Sequence, residues 1–208
     1  MRIVAISDTH NLHEQVEVPD GDVIVHAGDI TGRGRLSELE SFGRWWHALP
    51  HRHKVIIAGN HDFCFERETE RSQATELLKD SHYLEDSAVE LGGLKFYGSP
   101  WQPRFFDWAF NLTRGPALAE KWAMIPDDSD VVITHGPPHT VLDTTSGGEH
   151  VGCEELHARL QVVQPRIHIF GHIHEAYGVE RRGRTVYANA STCTLQYQPL
   201  NPPLVFDL

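Results

Sequence analysis

The stretch KVIIAGNHD, Lys54–Asp62, determines how the rest of the chain is interpreted. It begins as a short apolar run rich in β-branched residues, which predicts a buried strand. After Gly59 it continues with an amide, an imidazole and a carboxylate, those of Asn60, His61 and Asp62. Such groups are costly at the end of a buried strand unless they have partners. The stretch therefore predicts a strand that delivers functional side chains to one edge of a sheet.

Four other apolar runs end in polar residues in the same way. In open α/β sheets, ligands bind outside the carboxyl ends of the strands, so we expect all five strand ends to form one site. The other four runs and the residues that follow them are Ile3–Ile6 with Asp8 and His10, Val23–His26 with Asp29, Val131–Ile133 with His135, and Ile167–Phe170 with His172 and His174.

The size and charge of the chain limit the classes of protein that it can represent. A chain of 208 residues can bury a substantial core, and we expect a single domain over residues 1–208. A net charge of −11 argues against an extended nucleic-acid surface, because such binding depends on phosphate neutralisation. It is compatible with a small anionic substrate, since two bound divalent ions would make the site locally positive.

The cysteines and the amino terminus bear on the cellular compartment. Cys64, Cys153 and Cys193 are odd in number and scattered, so they predict neither a disulfide framework nor a Cys-x-x-Cys metal motif. A reducing compartment fits this usage. The chain begins directly with a predicted strand and has no run of 18 apolar residues. We therefore expect a cytoplasmic protein that makes no membrane contact.

The remaining patterns predict a mixed α/β fold. β-α-β units at the start of the chain imply a parallel sheet, while two hairpin signals, at Gly92-Gly93 and at Gly183, imply antiparallel additions. Two packed sheets with helices outside would satisfy both signals. Four helices are predicted. The first starts at a capping box, Ser37-x-x-Glu40, and stops at Pro50; the others span Glu68–Lys79, Pro116 to Pro126, and Leu156–Val163. Pro202–Leu208 could add an edge strand.

The strand ends carry seven candidate metal ligands. Divalent ions take carboxylate oxygen, amide oxygen and imidazole nitrogen, and seven ligands suit two ions that share a bridging carboxylate, for which Asp29 is the natural candidate. Two ions ~3.5–4 Å apart can hold an attacking hydroxide and neutralise a phosphoryl group. His61 would then meet the leaving-group oxygen. The candidate ligands are Asp8, His10, Asp29, Asn60, His135, His172 and His174.

The order of these motifs resembles that of the calcineurin-like metallophosphoesterase superfamily. The motifs are Asp8-x-His10, Gly28-Asp29, Gly59-Asn60-His61-Asp62, His135 and Gly171-His172-x-His174. Further stretches over nearly the whole chain are similar to metallophosphoesterase-domain (MPPED-type) proteins: Tyr97–Trp101, Phe110–Leu112, Thr134–Pro138, Val151–Cys153, Asn189–Cys193 and Gln198–Asp207.

This resemblance implies a four-layer α/β/β/α sandwich and a phosphodiesterase acting on cyclic nucleotides or similar small diesters. It further implies a first metal held by Asp8, His10, Asp29 and His174, and a second held by Asp29, Asn60, His135 and His172. This chain keeps His172, which some animal relatives lack, and has Asp62 where the animal proteins have Glu, a change expected to affect the support of His61. Mn²⁺ or iron is expected in preference to zinc, because oxygen ligands accompany the histidines and no thiolate is present.

An aromatic stretch between Trp101 and Phe110 leaves two interpretations open. It could form a platform on which a nucleobase stacks, or a loop that its aromatic residues pin to the core. Trp101 and Phe106 are the candidate substrate contacts on the first interpretation. Arg104 and Arg114 could meet a phosphate or face solvent.

Other functions share parts of this pattern. A phosphomonoesterase would use the same metal centre, so the ligands alone do not separate it from a phosphodiesterase. A non-catalytic scaffold would be favoured by missing ligands, and none of the seven is missing. A nuclease is disfavoured by the acidic balance and by the lack of a basic tract. The expected partner is a small phosphodiester or nucleotide.

Overall fold

Two mixed sheets form the centre of the computed structural model, which describes residues 1–208. The first sheet has the order β13-β1-β2-β3-β4, in which β1 to β4 are parallel and β13 is antiparallel to β1. The predicted edge strand at the carboxyl terminus is thus confirmed. The strands are β1 (Arg2–Ile6), β2 (Val23–Ala27), β3 (His53–Ile57), β4 (His82–Tyr83) and β13 (Leu204–Asp207).

The second sheet combines parallel strands with the two predicted hairpins. Its order is β11-β12-β10-β9-β6-β5, and β6, β9, β10 and β12 run parallel. Both hairpins are confirmed as antiparallel pairs, β5 with β6 and β11 with β12. The ranges are β5 (Ser87–Leu91), β6 (Leu94–Ser99), β9 (Val131–Thr134), β10 (Ile167–Phe170), β11 (Gly178–Arg182) and β12 (Thr185–Asn189), with a separate short ladder of β7 (Gln102–Pro103) and β8 (Asn111–Leu112).

Helices cover the outer face of each sheet. Alternating strand residues divide between two cores, as Val25 packs between the sheets whereas Ile24 packs outward against Phe42 of the first helix. Trp122 and Leu160 cover the second sheet in the same way. The predicted α/β/β/α sandwich is confirmed. The helices are α1 (Leu36–Ala48), α2 (Phe63–Glu66) and α3 (Glu68–Leu77) on the first sheet, and α4 (Pro116–Ala123) and α5 (Glu154–Val163) on the second.

The predicted capping box of the first helix is wrong by two residues. Helix α1 begins at Leu36, and the carboxylate of Glu38 accepts hydrogen bonds from the backbone N–H groups of Arg33 and Arg35 at 3.0 and 3.1 Å. The Ser37 hydroxyl therefore lies inside the helix. Helices α3 and α4 also end two to three residues before the predicted stops. No helix is long and apolar enough to cross a membrane.

Candidate metal centre

The carboxyl ends of β1, β2, β3, β9 and β10 meet at one edge of the sandwich, as the strand-end pattern predicts. Two glycines allow the turns to approach this closely. A Cβ atom at Gly59 would overlap Oδ1 of Asp29, and one at Gly171 would overlap Oδ2 of Asp8. Asp8 and Asp29 themselves have left-handed backbones, with φ of 53° and 55°. Such conformations cluster at functional sites, where the surrounding fold holds them in place.

One half of the site consists of Asp8, His10 and His174. Nε2 of His174 lies 3.3 Å from Oδ1 of Asp8 and 3.2 Å from Nε2 of His10. Oδ1 of Asp8 is 4.0 Å from Nε2 of His10. These atoms lie close enough together to bind one ion.

The other half brings together Asp29, Asn60 and His135. Nε2 of His135 is 2.9 Å from Oδ1 of Asn60 and 3.4 Å from Oδ1 of Asp29. The ring of His172 lies 5.0 Å from that of His135, centroid to centroid. Oδ2 of Asp29 faces the first half, 3.7 Å from Nε2 of His10. The two carboxylate oxygens of Asp29 thus face different halves of the site.

Four imidazole rings at the site are oriented by backbone carbonyls. In each ring Nδ1 contacts a carbonyl oxygen, which can only accept, so Nδ1 carries a proton and Nε2 faces the site. Metal-binding histidines are typically fixed in this manner. The pairs are His10 with Thr31 at 3.3 Å, His61 with Gly32 at 2.8 Å, His135 with Ala27 at 3.0 Å and His174 with Thr194 at 3.0 Å.

The electrostatics of the site fit a bound cation. Burial alone would raise the pKa values of Asp8 and Asp29, but contacts with His174 and His135 hold both pKa values below the usual range. Burial alone would lower the pKa values of His135 and His174, but the two carboxylates raise both to about 9. Buried carboxylates need a positive partner. Without a metal, the protonated rings of His135 and His174 supply the positive charge that Asp8 and Asp29 need. Divalent metal ions could supply that charge in their place.

Burial controls the other two histidines of the cluster. It lowers the pKa of His10 to about 4 and that of His172 to about 3. Both rings are therefore neutral near pH 7, which is the form that binds a metal. The donor set of carboxylate, amide and neutral imidazole fits divalent metal ions, and it does not identify the metal.

Asp62 holds two loops together and does not contact the ring of His61. Its buried carboxylate accepts hydrogen bonds from the backbone N–H groups of Ile30, Thr31 and Gly59 and from the Thr31 hydroxyl, at 2.8 to 3.1 Å. Burial, together with the charge of Asp29, raises the pKa of Asp62 to about 6. Any support that Asp62 gives to His61 therefore acts through the backbone of these loops. Its side chain fixes the loop after β2 against the loop after β3.

A pocket of about 480 Å³ opens above the cluster. Its floor includes Asp29, Asn60, His61, His172 and His174, and Arg104 forms part of its wall, so these predicted residues share one cavity. Asp8, His10 and His135 do not line it but contact residues that do, Asp8 at 3.3 Å from His174, and His10 and His135 at 3.7 and 3.4 Å from Asp29.

Two predicted substrate contacts lie outside this pocket and are corrected. The indole N–H of Trp101 donates to Asp86 at 2.9 Å, and the ammonium of Lys121 lies 4.5 Å from the centre of its ring. Trp101 therefore packs beside the core. Phe106 is 73% exposed, and its backbone is left-handed, with φ of 48°. Neither side chain lines the cavity.

Other aromatic residues line the pocket instead. Phe105 lies 6.2 Å from the ring of His172, and Trp108 stacks on His61. Both belong to the aromatic stretch recognised in the sequence, but residue type did not distinguish them from their neighbours. Tyr197 lies 4.9 Å from His10 and 5.3 Å from His174. It was missed because no local pattern links the carboxyl-terminal loop to the site.

Comparisons with known proteins agree with this geometry. A family model described as calcineurin-like phosphoesterase matches residues 1–176. The chain belongs to the calcineurin-like phosphoesterase family, and the resemblance predicted from its motifs is confirmed. Metallophosphoesterase domain-containing protein 1 from Homo sapiens and from Mus musculus is 46% identical over 230 aligned residues, which cover 100% of this chain and 71% of each relative.

Solved structures share the fold at low sequence identity. TT1561 of Thermus thermophilus superimposes with a TM-score of 0.64 and 14% identity, covering 99% of this chain and 98% of that chain. A structure described as a novel archaeal phosphodiesterase gives a TM-score of 0.52 and 18% identity, covering 100% and 93%. Membership of the family identifies the chain as a metallophosphoesterase, a metal-binding hydrolase.

Proposed function

We propose that this protein is a phosphodiesterase that uses two divalent metal ions and acts on cyclic nucleotides or similar small diesters. The observation that carries the proposal is that Asp29 joins two groups of metal ligands, with Oδ1 near His135 and Oδ2 near His10. The archaeal structure that shares the fold is described as a phosphodiesterase, which adds support for a diester substrate.

The family resemblance assigns the residues to two metal positions. Asp8, His10, Asp29 and His174 would hold one ion, and Asp29, Asn60, His135 and His172 would hold the other. A pair of divalent ions supplies positive charge that stabilises a phosphoryl group and activates water for attack. Manganese or iron is preferred over zinc, because carboxylate and amide oxygens accompany the histidines and no ligand offers a thiolate.

His61 is the proposed general acid. Its Nδ1–H is held by the carbonyl of Gly32 at 2.8 Å, and its ring lines the pocket floor next to the ligand Asn60. Nε2 lies 3.9 Å from Oδ2 of Asp29, within the cluster of polar groups. From this position a proton on Nε2 could pass to the oxygen of the departing alcohol, which is the role of a general acid.

The charges of the pocket wall favour a diester over a monoester. The guanidinium of Arg114 is occupied by Glu154 and by the carbonyl oxygens of Val151 and Gly152. Arg104 pairs with the exposed Asp107 at 2.9 Å. The wall therefore offers little free positive charge for the second negative charge of a phosphomonoester. A singly charged diester needs only the ions and a surface for its organic groups.

The aromatic residues of the wall would contact those organic groups. Phe105 borders the half of the site with His172, and Tyr197 borders the half with His10 and His174. A nucleobase can stack on either ring.

The three cysteines are buried and unpaired, in keeping with a reducing, cytoplasmic compartment.

A hydrolysis panel tests the proposal. The metal-free protein would be assayed with and without Mn²⁺ on bis-p-nitrophenyl phosphate, p-nitrophenyl phosphate and 2′,3′- and 3′,5′-cyclic nucleotides. We expect Mn²⁺-dependent cleavage of the diesters and slower cleavage of the monoester. Metal analysis of the loaded protein should give two ions per chain. Preferential cleavage of the monoester, or a single ion at full activity, would contradict the proposal.

A further inference from the structure

We propose that Trp108 is a positioning residue for His61, an inference that rests on the proposed function of His61 as general acid. The indole of Trp108 lies face to face with the imidazole of His61, with ring centroids 4.1 Å apart and planes inclined by 25°. Both side chains line the pocket. No other aromatic side chain of the 101–110 stretch contacts His61 in this way.

The ring of His61 needs such a contact to keep its orientation. Its one hydrogen bond, from Nδ1 to the carbonyl of Gly32, fixes one atom of the ring at 2.8 Å. The ring of His10 meets it at an angle of 74°, with centroids 4.6 Å apart. A hydrogen bond at one edge still allows the ring plane to swing, and a flat surface against its face opposes that motion. Trp108 supplies this surface.

Trp108 is well anchored for this role. The backbone N–H of the next residue, Ala109, donates to the carbonyl of Asn60 at 3.1 Å. The N–H of Phe110 donates to Glu66 of α2 at 2.8 Å, and both Ala109 and Phe110 are buried. The loop is thus tied to the segment that carries both Asn60 and His61. The backbone next to Trp108 is therefore fixed relative to the backbone that carries His61.

The stack also limits what Trp108 can do for a substrate. The indole face against His61 is not available to a nucleobase. A role in base stacking would make the effect of a Trp108 variant depend on the base. A role in positioning makes it depend on how much the departing alcohol needs a proton. These two dependences can be measured separately.

Methyl p-nitrophenyl phosphate and methyl phenyl phosphate provide the test, because neither has a base and they differ in leaving group. p-Nitrophenolate departs without much help, whereas phenolate benefits from a general acid. In the Mn²⁺-loaded enzyme, we expect Trp108→Ala to lower kcat for the phenyl ester by about 10-fold or more. The loss for the nitrophenyl ester should be several-fold smaller, and KM should change little for either.

Three further variants make the result specific. Trp108→Phe keeps a flat ring and should recover most of kcat for the phenyl ester. Trp108→Ala in a His61→Ala background should cause no further loss, because the indole acts through the imidazole. Phe106→Ala removes an exposed aromatic from the same loop and serves as the control for general loop damage. The comparison would include only variants whose melting temperature matches that of the wild-type protein.

A measurement without catalysis separates the failure of this inference from failure of the proposed function. In the metal-free protein, ring current from Trp108 should shift the NMR signal of the His61 ring protons upfield, and Trp108→Ala should abolish that shift. Equal losses of kcat on both esters, or an additive loss in the double variant, would overturn the positioning role. If the wild-type enzyme cleaves neither ester, the proposed function fails while the NMR result still reports on the stack.

Discussion

The ligand cluster and the aromatic loop over residues 101–110 form two sides of the same pocket by different means. Each ligand lies within a few residues of the end of a strand, so the sheets determine where it is. The loop is framed only by the short ladder of β7 and β8, and its aromatic residues differ widely in exposure. Phe110 is 1% exposed, Phe105 is 50% exposed and Phe106 is 73% exposed.

This difference indicates how each region contributes to function. The cluster is over-determined: Asp8, for example, also accepts hydrogen bonds from the backbone N–H of His172 and from the Ser191 hydroxyl. The loop is held by local bonds, such as those from Asn111 to the carbonyls of Phe105 and Phe106, and by single bonds to other segments, such as that from the N–H of Ala109 to the carbonyl of Asn60. Changes in the cluster should therefore affect metal binding and chemistry. Within the loop, a change at Phe105 should affect substrate binding, whereas a change at Trp108 should act on chemistry through His61.

Asp29→Ala is expected to have the largest effect on the cluster. Its carboxylate faces both groups of ligands and also accepts the backbone N–H of His61 at 2.8 Å. We expect less than two ions per chain by metal analysis and a fall in phosphodiesterase activity of about 10⁴-fold or more. Glu40→Ala, an exposed carboxylate on α1, is the control. Full metal content in Asp29→Ala would contradict a bridging role.

Asn60→Ala and His61→Ala separate binding from chemistry at adjacent residues. Asn60 contacts Nε2 of His135 at 2.9 Å, so its loss should weaken the second metal position. His61→Ala should keep both metals and lower kcat by about 10²–10⁴-fold for substrates with poor leaving groups. Calorimetric titration with Mn²⁺ would compare the two variants. Loss of an ion from His61→Ala would show that His61 is a ligand.

Metal affinity should rise with pH. The pKa values of His135 and His174 are raised to about 9 in the metal-free protein, so at neutral pH both rings are imidazolium cations with a proton on each nitrogen. Each must lose that proton to bind a metal, and the affinity of each ion should increase about tenfold per pH unit below about 9. Calorimetry at pH 7.5 in buffers of different ionisation enthalpy should show about one proton released per ion. Binding without proton release would contradict the assignment of these two ligands.

The sequence predicted the cluster because a buried strand that ends in polar residues is a local pattern with one main explanation. Asp8, Asp29 and His135 are far apart in the chain, but parallel strands bring their carboxyl ends to one edge. The strands of the two sheets followed from the same pattern, and both hairpins followed from the turn signals at Gly92-Gly93 and Gly183. Helix limits were less accurate, because Glu38 caps α1 through backbone groups that residue type alone does not specify.

The pocket wall could not be predicted residue by residue. Trp101 and Trp108 are the same residue type seven positions apart, yet one binds Asp86 and the other stacks on His61. The outcome depends on tertiary partners such as Asp86, for which the sequence contains no signal. Tyr197 reaches the site through long-range contacts of the segment before it, in which the N–H of Thr192 donates to the carbonyl of Ser7 at 2.8 Å and the carbonyl of Thr194 contacts Nδ1 of His174 at 3.0 Å. A position set by long-range contacts of a loop has no local periodicity to reveal it.

The smallest expected effect concerns the loop itself, at two neighbouring phenylalanines. Phe105 lines the pocket beside His172, whereas Phe106 points to solvent. If a base stacks on Phe105, Phe105→Ala should weaken nucleotide binding by about 1–3 kcal/mol. Phe106→Ala should leave nucleotide binding unchanged, and comparing the two variants controls for removal of an aromatic ring from this loop.

A substrate without a base provides a second control. In Phe105→Ala, the loss in cleavage of bis-p-nitrophenyl phosphate should be smaller than the loss in binding of a nucleoside monophosphate. Equal losses in both variants would mean that the loop acts by its general stability, and an effect of Phe106→Ala alone would reverse the assignment of the two rings.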